Sequence, residues 1–576
     1  MKATITAMIL IVGAALFTAP YRSSAQTASD TLVVSAMPPG NINNMIMGDT
    51  TATGQRNDPN RVYVLQQTGS SDSTYFFTAP IYTNYNLTII GKTNPVTGHP
   101  PVIEPFINPD NSTPGSFCIP RSGNVTFKNL YFLGTRTDGI SLTGNVVSTL
   151  GDSITVRVDH CVFDNFGTTG AVVFYFGGSY SNFFATNCEY RNLISDTWRQ
   201  PDNLWNNGGI PEDTVEYVNN TFFCTTRSVI GTGGYTKYFS FDHNTMFLDL
   251  EGVVLAPQLT NAVIKNNIFY GCEAHGQDST LIRTLVFNNG MGPSIITLDT
   301  LTTLKASPFN FTEADRNVVV ENNAYFWPKA LYDYWTAVSD TAHDPGLITA
   351  PVWMNKLTTS MFADHTRWPG FVESNNDSVD PEFSPSLVTP GLDSLVKYVD
   401  TLWVTGSGQG YRWSQFPTDP LNIFASVPQN WASSQGYPVP ENLAYSSATL
   451  QSAGTNKFAL GDLNWFPAQL KLWEEGQVNA VRSTEPQVPT KFDLSQNYPN
   501  PFNPSTDIKF SLTQSGVMSL KIYNVLGQVV DVVAQGYRPA GTYLYNVNMD
   551  RFASGVYFYT LQQGSNVMTR KMLLLK

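Results

Sequence analysis

Between Phe127 and Tyr325 one hexad of apolar and polar positions returns seven times, as FKNLYF, VDHCVF, ATNCEY, YVNNTF, FDHNTM, IKNNIF and VENNAY. The copies begin at Phe127, Val158, Ala185, Tyr217, Phe241, Ile264 and Val320, and in each the first and sixth residues are apolar while the third is Asn or His. Successive third residues lie 31, 27, 32, 24, 23 and 56 positions apart, so the unit is a coil of roughly two dozen residues with insertions of variable length. The last interval has room for a further, concealed copy.

Repeats rich in β-branched and aromatic residues, punctuated by Asn and Gly, predict short strands joined by tight turns. A single coil cannot bury its apolar side, but stacked coils can, with parallel strands about 4.8 Å apart and the first and sixth residues lining one core. The expected fold is therefore all-β, a right-handed parallel β-helix. Asn or His in the third place suits a left-handed backbone turn, which these residues tolerate better than most. The fourth residue then points inward, where Asn220, Asn244, Asn267 and Asn323 are placed to form a hydrogen-bonded amide ladder. Leu130, Cys161 and Cys188 hold the same column nearer the N-terminus. A β-sandwich also alternates, but it does not carry one side-chain column through seven copies.

Around this ladder the chain reads in order. Residues 31–104 supply RVYVL, NLTII and Gly/Pro turns, expected to be the opening coils and cap. Two insertions interrupt the coils: 196–213, with Trp198, Arg199, Asp202 and Trp205, and 331–380, with Trp335, Trp353 and Trp368. Loops on one side of a solenoid are common sites for ligand contact, although a tryptophan in a long loop more often pins the loop to the core. After Asp380 the hexad is lost, and ALGDLNWFPAQLKLWEEG predicts a turn leading into one amphipathic helix with Leu470 and Trp473 on one side. The expected division is a signal peptide (1–25), the β-helix with its N-terminal cap and insertions (26–383), an irregular C-terminal cap (384–483), a linker (484–490) and a small β-sandwich (491–576).

Composition narrows the compartment and the partners. Lys2, the apolar run 7–19 and Ser23-Ser24-Ala25 have the layout of a secretory signal, and no other stretch is apolar enough to span a membrane. Charged residues make up only 14% of the chain and the net charge is -12, which argues against nucleic acid or an anionic membrane as partner. Neutral glycans and divalent cations remain compatible. Five cysteines, Cys118, Cys161, Cys188, Cys224 and Cys272, have no metal-ligand spacing. Side chains stacked on adjacent coils lie parallel, so buried free thiols are favoured over a Cys161–Cys188 bridge.

In the last stretch, Tyr498-Pro499-Asn500-Pro501-Phe502-Asn503-Pro504, Tyr523-Asn524-Val525-Leu526-Gly527, Pro539-Ala540-Gly541, Tyr543, Ser554-Gly555-Val556-Tyr557 and the final basic-apolar run follow one another between Gly/Pro turns. They resemble the type A sorting domain of the type IX secretion system, over residues 491–576. The resemblance implies an Ig-like sandwich, recognition by the outer-membrane translocon, and release from or attachment to the surface of a Gram-negative cell of the Bacteroidetes-Chlorobi kind.

The coil pattern resembles the pectate-lyase superfamily, a scaffold used by lyases, glycosidases, esterases and adhesins, so fold alone does not select the chemistry. Val158-Asp159-His160-Cys161 is similar to the Asp-His run that precedes calcium-binding acids in pectate lyases, but Phe163 and Gly167 stand where further acids belong. A lyase neutralises a uronate carboxylate and removes the adjacent proton. On that reading Asp159, Asp164 and Glu189 hold Ca2+, Arg191 or Arg199 acts as base, and Arg157, Trp198 and Trp205 bind substrate on the outer face of the second and third hexads. The expected function is that of an exported protein that binds or degrades polysaccharide, as a polysaccharide lyase or a glycoside hydrolase. The alternative is a surface structural or adhesive protein without catalysis.

Overall fold

Each hexad folds as two strands hinged on its third residue: Thr155–Asp159 and Val162–Asp164 flank His160, and Glu212–Val218 and Thr221–Thr225 flank Asn219. The computed structural model describes residues 31–482 and 491–576, apart from 54–55, 68–71, 135–143, 167–172, 194–204, 207–209, 226–229, 232–234, 251–253, 256–258, 275, 279–293, 302–311, 342–347, 390, 394, 397–440, 514–515 and 539–540. Residues 21–471 form one compact unit, and residues 472–576 belong to another.

In the larger unit the strands before the turns make an 11-stranded sheet, from Thr31–Val34 to Gly370–Ser374. The strands after the turns make a 10-stranded second sheet, from Thr74–Phe77 to Asp377–Ser378, and a third sheet of 8 strands runs from Ile81–Thr83 to Ile296–Thr297. Neighbouring strands are parallel in all three, so the region is a stacked parallel-sheet solenoid. The third residues take the left-handed backbone that their types allow, with φ of 52° at Asn129 and His160, 54° at Asn187 and Asn322, 59° at Asn219, 53° at His243 and 58° at Asn266.

Inward-facing sixth residues fill the interior as an aromatic file. Phe132, Phe163, Tyr190 and Phe222 stack one above the next, with ring centroids 5.3, 5.0 and 4.9 Å apart and interplanar angles of 2°, 12° and 6°. Beside them runs the amide ladder: Asn220, Asn244, Asn267 and Asn323 each donate from Nδ2 to the Oδ1 of the next Asn, at 2.9, 3.2, 2.8 and 2.8 Å, the last acceptor being Asn376. The same oxygens also accept the backbone N–H of the preceding Asn, at 2.8 to 3.2 Å. Cys188 opens the ladder by donating its backbone N–H to Asn220, and all five cysteines are buried free thiols.

Two features of the stacking differ from the sequence expectation. The 56-residue interval conceals no coil in the first or second sheet, because Leu259–Lys265 pairs directly with Asn317–Glu321 and Asn267 bonds to Asn323. An eighth turn lies instead inside the second insertion, where Gly370–Ser374 and Asp377–Ser378 flank Asn375, whose φ is 53°. Its hexad, ESNNDS, has Glu373 and Ser378 at positions that are apolar elsewhere; among the described residues no strand pairs beyond it in the first or second sheet. The rest of that insertion contains helices Lys329–Thr341 and Lys356–Ala363. Its tryptophans pin it down: Trp335 donates to the Ala274 carbonyl, Trp368 to Glu313, and Trp353 stacks on Tyr325 with centroids 4.8 Å apart.

The smaller unit has antiparallel sheets of three and four strands around a core that includes Leu494, Ile508, Phe510, Leu520, Ile522 and Leu561. The motif at its start is structural. Phe502 plugs the core, Asn500 Oδ1 accepts the Leu573 N–H at 2.9 Å, and Asn497 Nδ2 donates to Thr506 Oγ1 at 2.9 Å.

Candidate functional site

Outward positions of the second sheet form two columns, the fifth residue of each hexad and the one after the sixth. The parallel register sets Tyr131, Val162, Glu189, Thr221 and Thr245 in one, and Asp164, Arg191, Phe223 and Phe247 in the other. A returning segment, residues 441–465, lies against both. Gly461 N donates to the Asn266 carbonyl at 2.7 Å, Asp462 N to Thr245 Oγ1 at 2.9 Å and Leu463 N to Asn219 Oδ1 at 2.5 Å. Higher up, Phe383 meets Phe247 and Tyr270 edge-on, with centroids 5.4 and 5.2 Å away, and it also contacts Tyr445 of the returning segment.

Where this segment crosses the third hexad it closes a buried network of charge. Arg191 donates from Nε to Glu441 Oε1 at 2.5 Å, from Nη2 to Glu441 Oε2 at 3.2 Å and from Nη1 to Asp164 Oδ2 at 2.8 Å. A two-pronged guanidinium–carboxylate pair of this kind is the strong form of ion pair. Asp164 also accepts Asn192 Nδ2 at 3.1 Å and the Tyr131 hydroxyl. Thr221 donates to Asp462 Oδ2 at 2.6 Å while accepting Trp465 Nε1 at 2.8 Å. Relative exposure is 1% at Arg191, 0% at Asp164 and 3% at Glu441.

The electrostatics follow from three carboxyls, of Asp164, Glu441 and Glu189, around one guanidinium, with Asp462 close to Glu189. Burial, and then the proximity of Glu441, push the Glu189 carboxyl well above the usual range. Burial raises Asp462 to about 7, against the pull of Thr221, Asn464 and His160. Asp164 is raised by burial although Arg191, Tyr131 and Asn192 draw it down.

The sequence candidates therefore separate. Asp164, Glu189 and Arg191 meet in this network, with Asp164 and Arg191 directly in register. Asp159 sits on the ridge between sheets, accepting Lys128 Nζ and His160 Nδ1, each at 2.6 Å. Burial would raise its carboxyl, but His160 and then Lys128 hold it at about 2. Arg157 is on the first sheet with its guanidinium 4.1 Å from the Phe184 ring centre, and it does not join the others. Trp198 and Arg199 lie outside the described residues; Trp205 begins the strand Trp205–Asn206 of the third sheet. Among the described residues no three His, Cys, Asp or Glu side chains gather to hold a metal. Asp164 is committed to Arg191 and Asp159 to Lys128, so these acids do not fit a calcium site.

Sequence reasoning missed Glu441 and Asp462. Glu441 lies 250 positions beyond Arg191, outside the repeat and without periodicity of its own. The one available signal was the partner side: an Arg and an Asp in a column that elsewhere carries Leu133, Phe223, Phe247 and Tyr270 need countercharges from outside the coils.

The sequence profile of the secretion system C-terminal sorting domain matches residues 496–575. Such a domain marks proteins that are secreted by, or attached to the outer surface of, Bacteroidetes-type Gram-negative cells, and that is the location of this chain. Among the described residues no helix is long and apolar enough to cross a membrane. No curated protein matches the chain. One solved structure, the endo-beta-1,4-mannanase from Thermotoga petrophila, aligns at 9% identity over 55% of this chain and 47% of its own, with a TM-score of 0.11. This chain thus spans about half the length of that enzyme, and a superposition so poor transfers neither fold nor activity.

Proposed function

We propose that the protein is a non-catalytic surface or secreted scaffold that acts by binding. In this reading its solenoid is a right-handed parallel β-helix of the pectate-lyase-like kind, and its last domain is an Ig-like sandwich that engages the type IX translocon. The three parallel sheets with a left-handed Asn or His at each turn support the first assignment, and the paired antiparallel sheets support the second. The observation that carries the non-catalytic reading is the use of Arg191. Its guanidinium is held by Glu441 and Asp164 and sealed at 1% exposure, so it has neither the freedom nor the access that proton abstraction from a polymer requires. The ligand class proposed with it is neutral polysaccharide, since a net charge of -12 disfavours anionic polymers.

The test is to incubate the purified protein with neutral and acidic polysaccharides, with and without calcium, following retention on immobilised glycan, new reducing ends and the absorbance of unsaturated product. Retention of a neutral glycan with no product is expected. Any turnover overturns the scaffold reading, and turnover lost in a folded Arg191→Lys variant returns catalysis to this network. Failure to retain any glycan removes the ligand class.

A further inference from the structure

The four-stranded sheet of the smaller unit turns one face to the core and the other away from it. Leu520, Ile522, Tyr559, Leu561, Met572 and Leu574 are buried, so their alternate neighbours along Gly516–Tyr523, Gly555–Gln563 and Asn566–Leu574 point outward. At one end this outward face is polar, as a solvated sheet should be, with Ser519 opposite Gln562 and Thr560 opposite Thr569. At the other end it is apolar: Tyr523 is opposite Phe558, Val556 is opposite Leu573, and the loop after Tyr523 shows Val525 at 68% exposure and Leu526 at 79%. That loop is closed on itself. Asn524 Oδ1 accepts the N–H of Leu526 and that of Gln528, each at 3.0 Å, and the Asn524 carbonyl accepts the Gly527 N–H at 3.0 Å, with Gly527 at φ of 77°. The first motif of the tail fixes the far side of the patch, since Asn500 Oδ1 accepts the Leu573 N–H at 2.9 Å and Phe502 donates its N–H to the Leu573 carbonyl at 3.0 Å. We infer that this apolar end is the surface by which the secretion machinery recognises the chain, and that it docks on an apolar patch bordered by acidic groups.

The inference rests on the reading above that the last domain engages the type IX translocon, and adds which face does so. Tyr523, Phe558, Val556 and Leu573 are half-buried and lie outside the hydrophobic core of the unit, so the fold does not need them to be apolar. Apolar side chains displayed together on a face that is otherwise polar mark a contact surface. Because hydrogen bonds already fix the loop that carries Val525 and Leu526, docking orders little that was free, which is the advantage of a preformed surface. Charge gives the chemistry of the rim. Residues 491–576 hold eight Lys and Arg against four Asp and no Glu, a net charge of +4, whereas the rest of the chain carries -16. Two of these cations border the patch: Lys571 is opposite Phe558, and Lys521 lies two residues before Tyr523 on the same face. An acidic rim on the partner would draw the basic domain in and leave the acidic remainder of the chain outside the contact.

The test is export of the full chain in the cell that makes it, read on immunoblots as the ratio of surface and medium to periplasm, with melting temperatures of the purified variants. Val525→Ser combined with Leu526→Ser should lower that ratio by about tenfold, as the loss of two anchors at the centre of a contact does, with the melting temperature unchanged. Lys521→Glu combined with Lys571→Glu should lower it as well, through charge alone. Val567→Ser, at a side chain 55% exposed at the polar end of the same face, should be exported normally. Normal export of the Val525/Leu526 variant overturns the inference, and so does an equal loss in Val567→Ser. A concentration-dependent dimer of the purified chain that the same substitutions dissociate assigns the face to a second copy and overturns it too. Removal of 491–576 separates this failure from that of the underlying reading. If the shortened chain stays in the periplasm while the Val525/Leu526 variant is exported, only the surface is wrong; if the shortened chain is exported normally, the translocon reading falls and the surface with it. Should the serine variant prove unstable, the lysine pair still decides.

Discussion

Asn244 receives both donors of the coil before it through a single atom: its Oδ1 accepts the backbone N–H of Asn220 at 3.0 Å and the Nδ2 of Asn220 at 2.9 Å. Its own Nδ2 reaches the Tyr217 carbonyl at 3.0 Å and Asn267 Oδ1 at 3.2 Å. One side chain thus joins three coils, and it does so with every member buried.

Replacing Asn244 by Leu keeps the volume and removes these bonds, leaving the Asn220 N–H and the Tyr217 carbonyl without that partner inside the solenoid. The expected loss is about 2 to 4 kcal/mol, from orphaned buried groups worth about 1 to 3 kcal/mol each. Asn376→Leu, at the part-buried end of the ladder, should lose less. Denaturant midpoints of the two variants check this, and equal midpoints would remove the ladder as a source of stability.

The turn column makes a separate prediction, since it depends on backbone rather than partners. Asn322 has φ of 54°, a region that β-branched residues avoid. Asn322→Val should lower stability by about 1 to 2 kcal/mol or more, whereas Asn322→Gly should stay within about 1 kcal/mol. A valine variant as stable as the glycine variant would show that the turn is not strained for ordinary residues.

On the acid side, the ridge pair governs. Asp159 is held at about 2 by His160 and Lys128 against burial, below its value in an unfolded chain. A depressed carboxyl contributes stability above its unfolded value, near about 4, and loses it as pH falls from there toward about 2. Asp159→Asn should therefore flatten the fall in melting temperature over that window, and Asp242, also lowered despite burial by Lys265 and His243, is among the groups that keep part of the slope. An unaltered slope would mean that Asp159 has no favourable charge contact in solution.

What the sequence determined by itself was whatever repeats at short range. A left-handed turn needs only the residue that occupies it, and a ladder needs only the same amide one coil later, so Asn219, His243, Asn220 and Asn244 were legible from spacing alone. The tail was legible for the same reason, because its motif residues, such as Phe502 and Asn500, serve local turns and a small core. Tertiary structure decided the rest. Nothing in the pattern says that the 56-residue interval is one long detour between adjacent strands, nor that ESNNDS is a coil, because Glu373 and Ser378 replace the apolar first and sixth residues where, among the described residues, no further strand pairs. Nor does periodicity reach across 250 positions to set Glu441 on Arg191. The register put Asp164 beside Arg191, as spacing predicts. Whether that pair faced solvent, as a catalytic site requires, or the returning segment was settled by where residues 441–465 found countercharge and apolar cover.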